Sequence, residues 1–113
     1  VAVEFGLPVA VAETAYPSSS RTEPKPLLDP TKSRLAGFSL SQSGQAAYAT
    51  RISQVLRAAA GTKALGVWWW EVFAPNASRG SSGLGPSVVM YSSLVTGDGR
   101  ANPAMAALGK ASR

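Results

Sequence analysis

The chain has 113 residues, 45% of them hydrophobic and only 15% charged, with a formal net charge of +5 and neither cysteine nor histidine. That length suits one small globular domain, and a charge content well below the usual ~25% points to surface meant to face other protein. Disulfides, Cys or His metal sites, thiol nucleophiles and imidazole bases are excluded, so any chemistry falls to carboxylates, hydroxyls, amides or cations.

The basic residues do not form a phosphate-binding face. Lys25, Lys32 and Arg34 are the densest group, but Glu23 and Asp29 lie among them, which reads as a solvated loop and argues against a nucleic-acid partner. Pro8, Glu13 and Pro17 interrupt the first apolar stretch and Glu71 the second, so no run approaches the ~18–20 residues of a membrane span. The sequence starts at Val1 without a basic segment, long apolar segment and cleavage site, so no signal peptide is expected within it.

In chain order, Leu7 to Thr14 is apolar on both faces until Glu13, the pattern of a strand covered on both sides in a parallel sheet. Residues 18–37, rich in proline, serine and mixed charge, read as a long loop insertion. From Ser41 to Ala60 the apolar residues Tyr48, Ile52, Val55, Leu56 and Ala59 mark one face of a helix. Ser41 can cap it, or Ser39 with Gln42 as a capping box, and Gly61 suits a left-handed C-terminal residue. Ala64 to Phe73, β-branched and aromatic, predicts a second strand stopped by Pro75. Residues 76–87 form a Gly/Ser-rich loop, and Val88 to Val95 is an apolar run that suits either a strand or an irregular segment. Asn102-Pro103 predicts a helix start, with a short helix from Pro103 to Leu108 closing at Gly109.

Strand, helix, strand, helix is the βαβ logic of parallel α/β folds, with a right-handed crossover. Two strands cannot complete such a sheet, and a (β/α)8 barrel takes about 250 residues. Residues 1–113 are therefore expected to be one fragment of a barrel, with unpaired strand edges and with Val9, Val11 and Trp68 facing the barrel interior.

Glu13 and Glu71 each sit near the C-terminal end of an expected strand, where barrels and open α/β sheets place their active sites. Neighbouring strands are about 4.8 Å apart, so the two carboxylates could approach the ~5–5.5 Å separation of a retaining glycosidase, or each could simply cap a strand end. Trp68, Trp69 and Trp70 must alternate between faces. If Trp69 packs beneath the helix, Trp68 and Trp70 face the barrel interior, with Trp70 nearer its mouth, where an indole can stack on the C–H face of a sugar; alternatively all three are core. Asn76-Ala77-Ser78 is an N-glycosylation sequon.

The segment Gly6 to Pro17, GLPVAVAETAYP, resembles the signature of glycoside hydrolase family 53, the arabinogalactan endo-β-1,4-galactanases. Ser41 to Gln45 followed by Ala46 resembles the start of that family's seventh helix, Gly66 to Glu71 its eighth strand, and Asp98 to Pro103 the segment before its last helix. The resemblance implies an α/β fold, the C-terminal part, about the last two βα units, of a TIM (β/α)8 barrel. It also implies retaining hydrolysis of β-1,4-galactan, with Glu13 as nucleophile and Trp70, Glu71 and Tyr16 at the sugar. In this reading Glu71 is not the acid/base, whose position lies after the fourth strand and has no counterpart here. The chain would then supply only the nucleophile half of the site and be inactive alone. The mechanism uses no metal or cofactor, the partner is a polysaccharide, and the setting is extracellular. A non-catalytic carbohydrate-binding or structural remnant of the barrel is the alternative.

Overall fold

The computed structural model describes residues 2–19, 34–70, 72, 92–96 and 98–111. A short helix α1 (Ala2–Phe5) leads into strand β1 (Val9–Thr14). A small hairpin of β2 (Arg34–Leu35) and β3 (Phe38–Ser39) precedes helix α2 (Gln42–Ala60). A 3-10 turn over Gly61–Lys63 joins α2 to β4 (Ala64–Trp69), and helix α3 (Pro103–Ala111) follows later in the chain.

β1 and β4 pair in parallel, with α2 as the crossover, so the expected βαβ unit forms. Among the described residues each strand has one edge without a strand partner. The register slips twice: Val9 pairs with Ala64 but Ala10 with Gly66, and Val11 pairs with Val67 but Thr14 with Trp69. The first slip puts an extra residue in β4, where Gly66 takes φ 147°; the second puts one in β1, between Val11 and Thr14.

The hairpin at the end of the 18–37 segment corrects the expectation of loop throughout. Its strands are two residues each, too short for any alternation to register, and its turn is Ala36-Gly37, with φ of 47° and 85°, rather than the usual Asn-Gly pair. The Gly/Ser-rich segment 76–87 lies outside the described residues, as do 20–33. Of the Val88 to Val95 run, 92–95 are irregular, with one isolated bridge from Val95 to Ala101.

α2 starts as the first capping alternative proposed: Ser41 Oγ accepts the Gly44 N–H at 3.1 Å. It ends at Gly61, φ 57°, whose N–H bonds to the Arg57 carbonyl. The buried face of α2 differs from the expected one. Gly44, Gln45, Ala49, Ser53, Leu56 and Ala60 are buried, Tyr48 and Ile52 are half-buried, and Val55 and Ala59 are exposed. The reason is steric. α2 packs closely against α3, where Ala49 and Ala104, both with no exposed surface, belong to one cluster, so small residues hold the inner stripe. Ser53 meets its burial cost by donating to the Ala49 carbonyl at 2.9 Å.

Two apolar clusters lie between α2 and the sheet. Towards the C-terminal end of α2, Leu56 and Ala60 meet Val9, Val11, Ala64 and Val67. Val9 and Val11 therefore face the helix, which corrects the expectation that they face a barrel interior alongside Trp68. Towards its N-terminal end, Tyr16, Leu40, Ala49, Trp69, Leu94 and Ala104 form the larger cluster. Among the described residues no element packs on the opposite face of the sheet, and Leu65 and Trp68 are more than half exposed, at 64% and 57%. α3 runs on through Gly109 to Ala111, because a helical glycine with open space around it weakens a helix without ending it.

Gly44 separates two kinds of glycine. A Cβ there would sit 1.8 Å from the Ser39 carbonyl oxygen, whereas one at Gly109 meets nothing within 4 Å. Gly44→Ala should cost about 2–3 kcal/mol by forcing β3 off α2, and Gly109→Ala should gain about 0.5–1 kcal/mol. Urea midpoints moving in opposite directions check this, and equal shifts would contradict it.

The turn before α3 carries a pH-sensitive contact. Thr96 Oγ1 donates to the Asp98 carboxylate and accepts the Arg100 N–H at 3.1 Å, and Arg100 Nε lies 3.2 Å from Asp98. The Thr96 hydroxyl first, then the backbone N–H groups of Asp98 and Arg100, hold the Asp98 carboxyl below its usual 3.8. A depressed carboxylate favours the folded turn at pH above 3.8, and that contribution is lost as pH falls through the lower folded value. The NMR titration of Asp98 should inflect below 3.8, and Thr96→Val should move it upward. An inflection at or above 3.8 in the unaltered chain would contradict this contact.

Candidate active site

Both strands end at the same level. Thr14 is the register partner of Trp69, and the Trp70 N–H continues the ladder by donating to the Thr14 carbonyl at 2.8 Å. Glu13, one residue before Thr14, is exposed. Thr14 itself is turned to α2, where its Oγ1 and the Tyr48 Oη share a hydrogen bond at 2.7 Å. Trp69 is likewise on the helix side, 8% exposed, so alternation carries Trp68 and Trp70 to the face that Glu13 occupies. Trp70 is half-buried there and Trp68 is exposed. Of the two readings of the tryptophan run, core packing thus holds for Trp69, and Trp68 is not core in this chain. Glu71 and the sequon residue Asn76 lie outside the described residues.

Tyr16 is not at an open surface. Its ring is 1% exposed, stacked on Tyr48 at 4.8 Å and 25°, with Phe38 edge-on at 6.1 Å. Its hydroxyl donates to the Phe38 carbonyl at 2.8 Å. One ring face is stacked on Tyr48, the polar tip is bonded and the ring is 1% exposed, so the expectation of Tyr16 at the sugar is replaced by a supporting role beneath the strand ends. No local pattern signals this, because an aromatic two residues past a strand end suits either place.

The support extends through Gln45, which has no exposed surface. Its Nε2 lies 2.9, 3.1 and 3.2 Å from the carbonyl oxygens of Tyr16, Ser92 and Ser93. Asn102 Nδ2 donates to the Ser93 carbonyl at 2.9 Å, and Trp69 Nε1 to that of Ser92 at 2.8 Å. One buried amide thus ties the segment after β1 to the segment before α3 and fixes the backbone under the strand ends. Gln45 was visible in sequence only as part of a helix-start resemblance. Its stronger signal is spacing: Gln45, Ala49, Ser53, Leu56 and Ala60 recur at helical steps, which marks a polar residue on the buried stripe.

A groove of about 690 Å³ runs along the outer edge of β4, lined by Leu56, Arg57, Leu65, Val67, Trp68 and Leu108 among others. Glu13 does not line it. At the strand ends the Glu13 carboxylate is exposed and the Trp70 indole half-buried, on the side of the sheet where no described helix packs.

That places the unit in the α/β class whose chemistry sits beyond the C-terminal ends of parallel strands. The chain belongs to glycosyl hydrolase family 53, whose model matches residues 1–108. It is a glycoside hydrolase at the level of the family, which is a (β/α)8-barrel family acting on polysaccharide, and its parallel sheet and crossover helix are consistent with that fold. Comparison with curated proteins and with solved structures gives no match.

The Gln45 amide makes a direct prediction. Gln45→Leu keeps the bulk but strips buried carbonyls of their donor, each such loss costing about 1–3 kcal/mol. The urea midpoint should fall and the tryptophan emission should shift to the red as the Trp69 to Ser92 contact loosens. An unchanged midpoint would show that these carbonyls find other partners.

Proposed function

We propose that this chain contributes the nucleophile of a retaining endo-β-1,4-galactanase that cleaves β-1,4-galactosidic bonds in arabinogalactan, and that it forms about the last two βα units of the barrel. The observation that carries the reading is the family match over residues 1–108, taken with an exposed Glu13 at the C-terminal end of a parallel strand. The E-T-A-Y-P sequence from Glu13 to Pro17 supports Glu13 in that role.

In the first step the Glu13 carboxylate attacks the anomeric carbon of a galactose unit. The glycosidic C–O bond breaks as an acid from elsewhere in the barrel protonates the leaving oxygen, giving a glycosyl ester. The same group then takes a proton from water, which attacks the anomeric carbon and releases Glu13. Trp70 offers an apolar ring face to the sugar beside the bond to be cut, and Glu71, next in sequence, belongs to the same subsite. Among the described residues β1 and β4 each have one edge without a strand partner and Leu65 and Trp68 are exposed, which supports neighbouring strands on both sides. A polymeric substrate too large for uptake supports an extracellular setting.

The test has two arms. The isolated chain should not hydrolyse β-1,4-galactan, since the missing proton donor alone is worth about 10²–10⁴-fold. Residues 1–108 grafted in place of the corresponding part of an active family 53 barrel should restore cleavage. Glu13→Ala in the graft should abolish it, and azide should partly restore it with inverted anomeric product. Activity surviving Glu13→Ala, or azide rescue of Glu71→Ala instead, would overturn the assignment. A graft that binds galactan without cleaving it would favour a non-catalytic carbohydrate-binding remnant.

A further inference from the structure

Glu13 faces outward against the alternation of its own strand. Val9 and Val11 pack against Leu56 and Ala60 of α2, and two-residue spacing would bring Glu13 to the same side. Instead the next residues on the helix side are Thr14, bonded to Tyr48, and Tyr16, stacked on it. The steps along the helix-facing side are thus two, three and two, with Ala12 and Glu13 both exposed at the slip. A slip of one residue flips a side chain to the other face of the sheet.

We infer that Tyr48 is a positioning residue for Glu13: its hydroxyl, bonded to Thr14 Oγ1, locks the extra residue into β1 and so turns the Glu13 carboxylate to the open face. Tyr48 is suited to this because its ring is fixed on three sides, stacked on Tyr16 and edge-on to Phe38 at 5.9 Å and to Trp69 at 6.1 Å. Its hydroxyl therefore meets Thr14 at a defined height, and the Trp70 N–H to Thr14 carbonyl bond holds the same residue from the neighbouring strand. Without the Tyr48 bond, a regular strand that turns Glu13 towards α2 competes with the slipped one. The bearing of this device on catalysis rests on the reading of Glu13 as nucleophile. The device itself does not.

Carbodiimide coupling of carboxylates in the full chain, read by peptide mass spectrometry, tests it without any glycoside. Coupling at Glu13, relative to exposed Glu4 and Asp98, should fall in Tyr48→Phe and in Thr14→Val, by at most about tenfold, because one lost hydrogen bond lowers the ratio of outward to inward strand by about two- to tenfold. Thr14→Ser, which keeps the hydroxyl, should match the unaltered chain. General loosening would raise coupling, the opposite sign. Unchanged or raised coupling in both Tyr48→Phe and Thr14→Val would overturn the inference, as would a fall in Thr14→Ser equal to that in Thr14→Val. Because no cleavage is measured, this result and the nucleophile assignment stand or fall separately.

Discussion

Parallel pairing of β1 with β4 is the constraint from which the remaining structure follows. Two parallel strands cannot be joined by a tight turn, so a crossover must travel back over the sheet, and here it is α2. The helix buries one face of the sheet, and among the described residues no helix packs on the other. Among the described residues the packed side chains, from Val9 to the ring of Trp69, lie on the helix side, while Glu13 is exposed and Trp70 half-buried. Each strand keeps one edge without a strand partner among the described residues, which is consistent with the barrel fold of the family.

The interior is divided along α2 according to what each half supports. The half towards its C-terminus is plain aliphatic packing, Leu56 and Ala60 against valines, and sets the spacing of helix and sheet. The half nearer the strand ends is built for direction. Four aromatic rings meet at defined angles, and Gln45 binds backbone carbonyls from two separate segments. Rigid support below a strand end is what a reacting carboxylate needs, because a misplaced attacking atom loses much of the gain from proximity. The sequence elements that resemble family 53 include both exposed and buried residues: Glu13 is exposed and Trp70 half-buried, whereas Tyr16, Gln45 and Asn102 are buried.

Much of the fold was legible from the sequence, for physical reasons. The β-branched runs of β1 and β4, the Ser41 cap and the Gly61 stop are local signals, and the chain obeys them. What escaped was decided by contacts distant in sequence. The stripe on α2 follows close packing with α3, which favours Ala49 and Ser53 over Val55. The direction of Val9 and Val11 depends on which side α2 covers, and that of Glu13 on a one-residue slip tied to Tyr48, thirty-four residues beyond Thr14. The location of Glu13 at a strand end could be read from the sequence. Its direction could not, since no local pattern records an extra residue in a ladder.

The central claim is that Glu13 is the group on this chain that bonds covalently to the sugar. The most direct measurement is to trap that bond, using the grafted barrel and a galactosyl donor with a good leaving group, fluorinated beside the anomeric carbon so that the ester hydrolyses slowly. Peptide mapping should then find the added galactosyl mass on the peptide containing Glu13 and on no other carboxylate, with activity lost in step with labelling. A label on Glu71 or on any other residue, accompanied by the same loss of activity, would contradict the account.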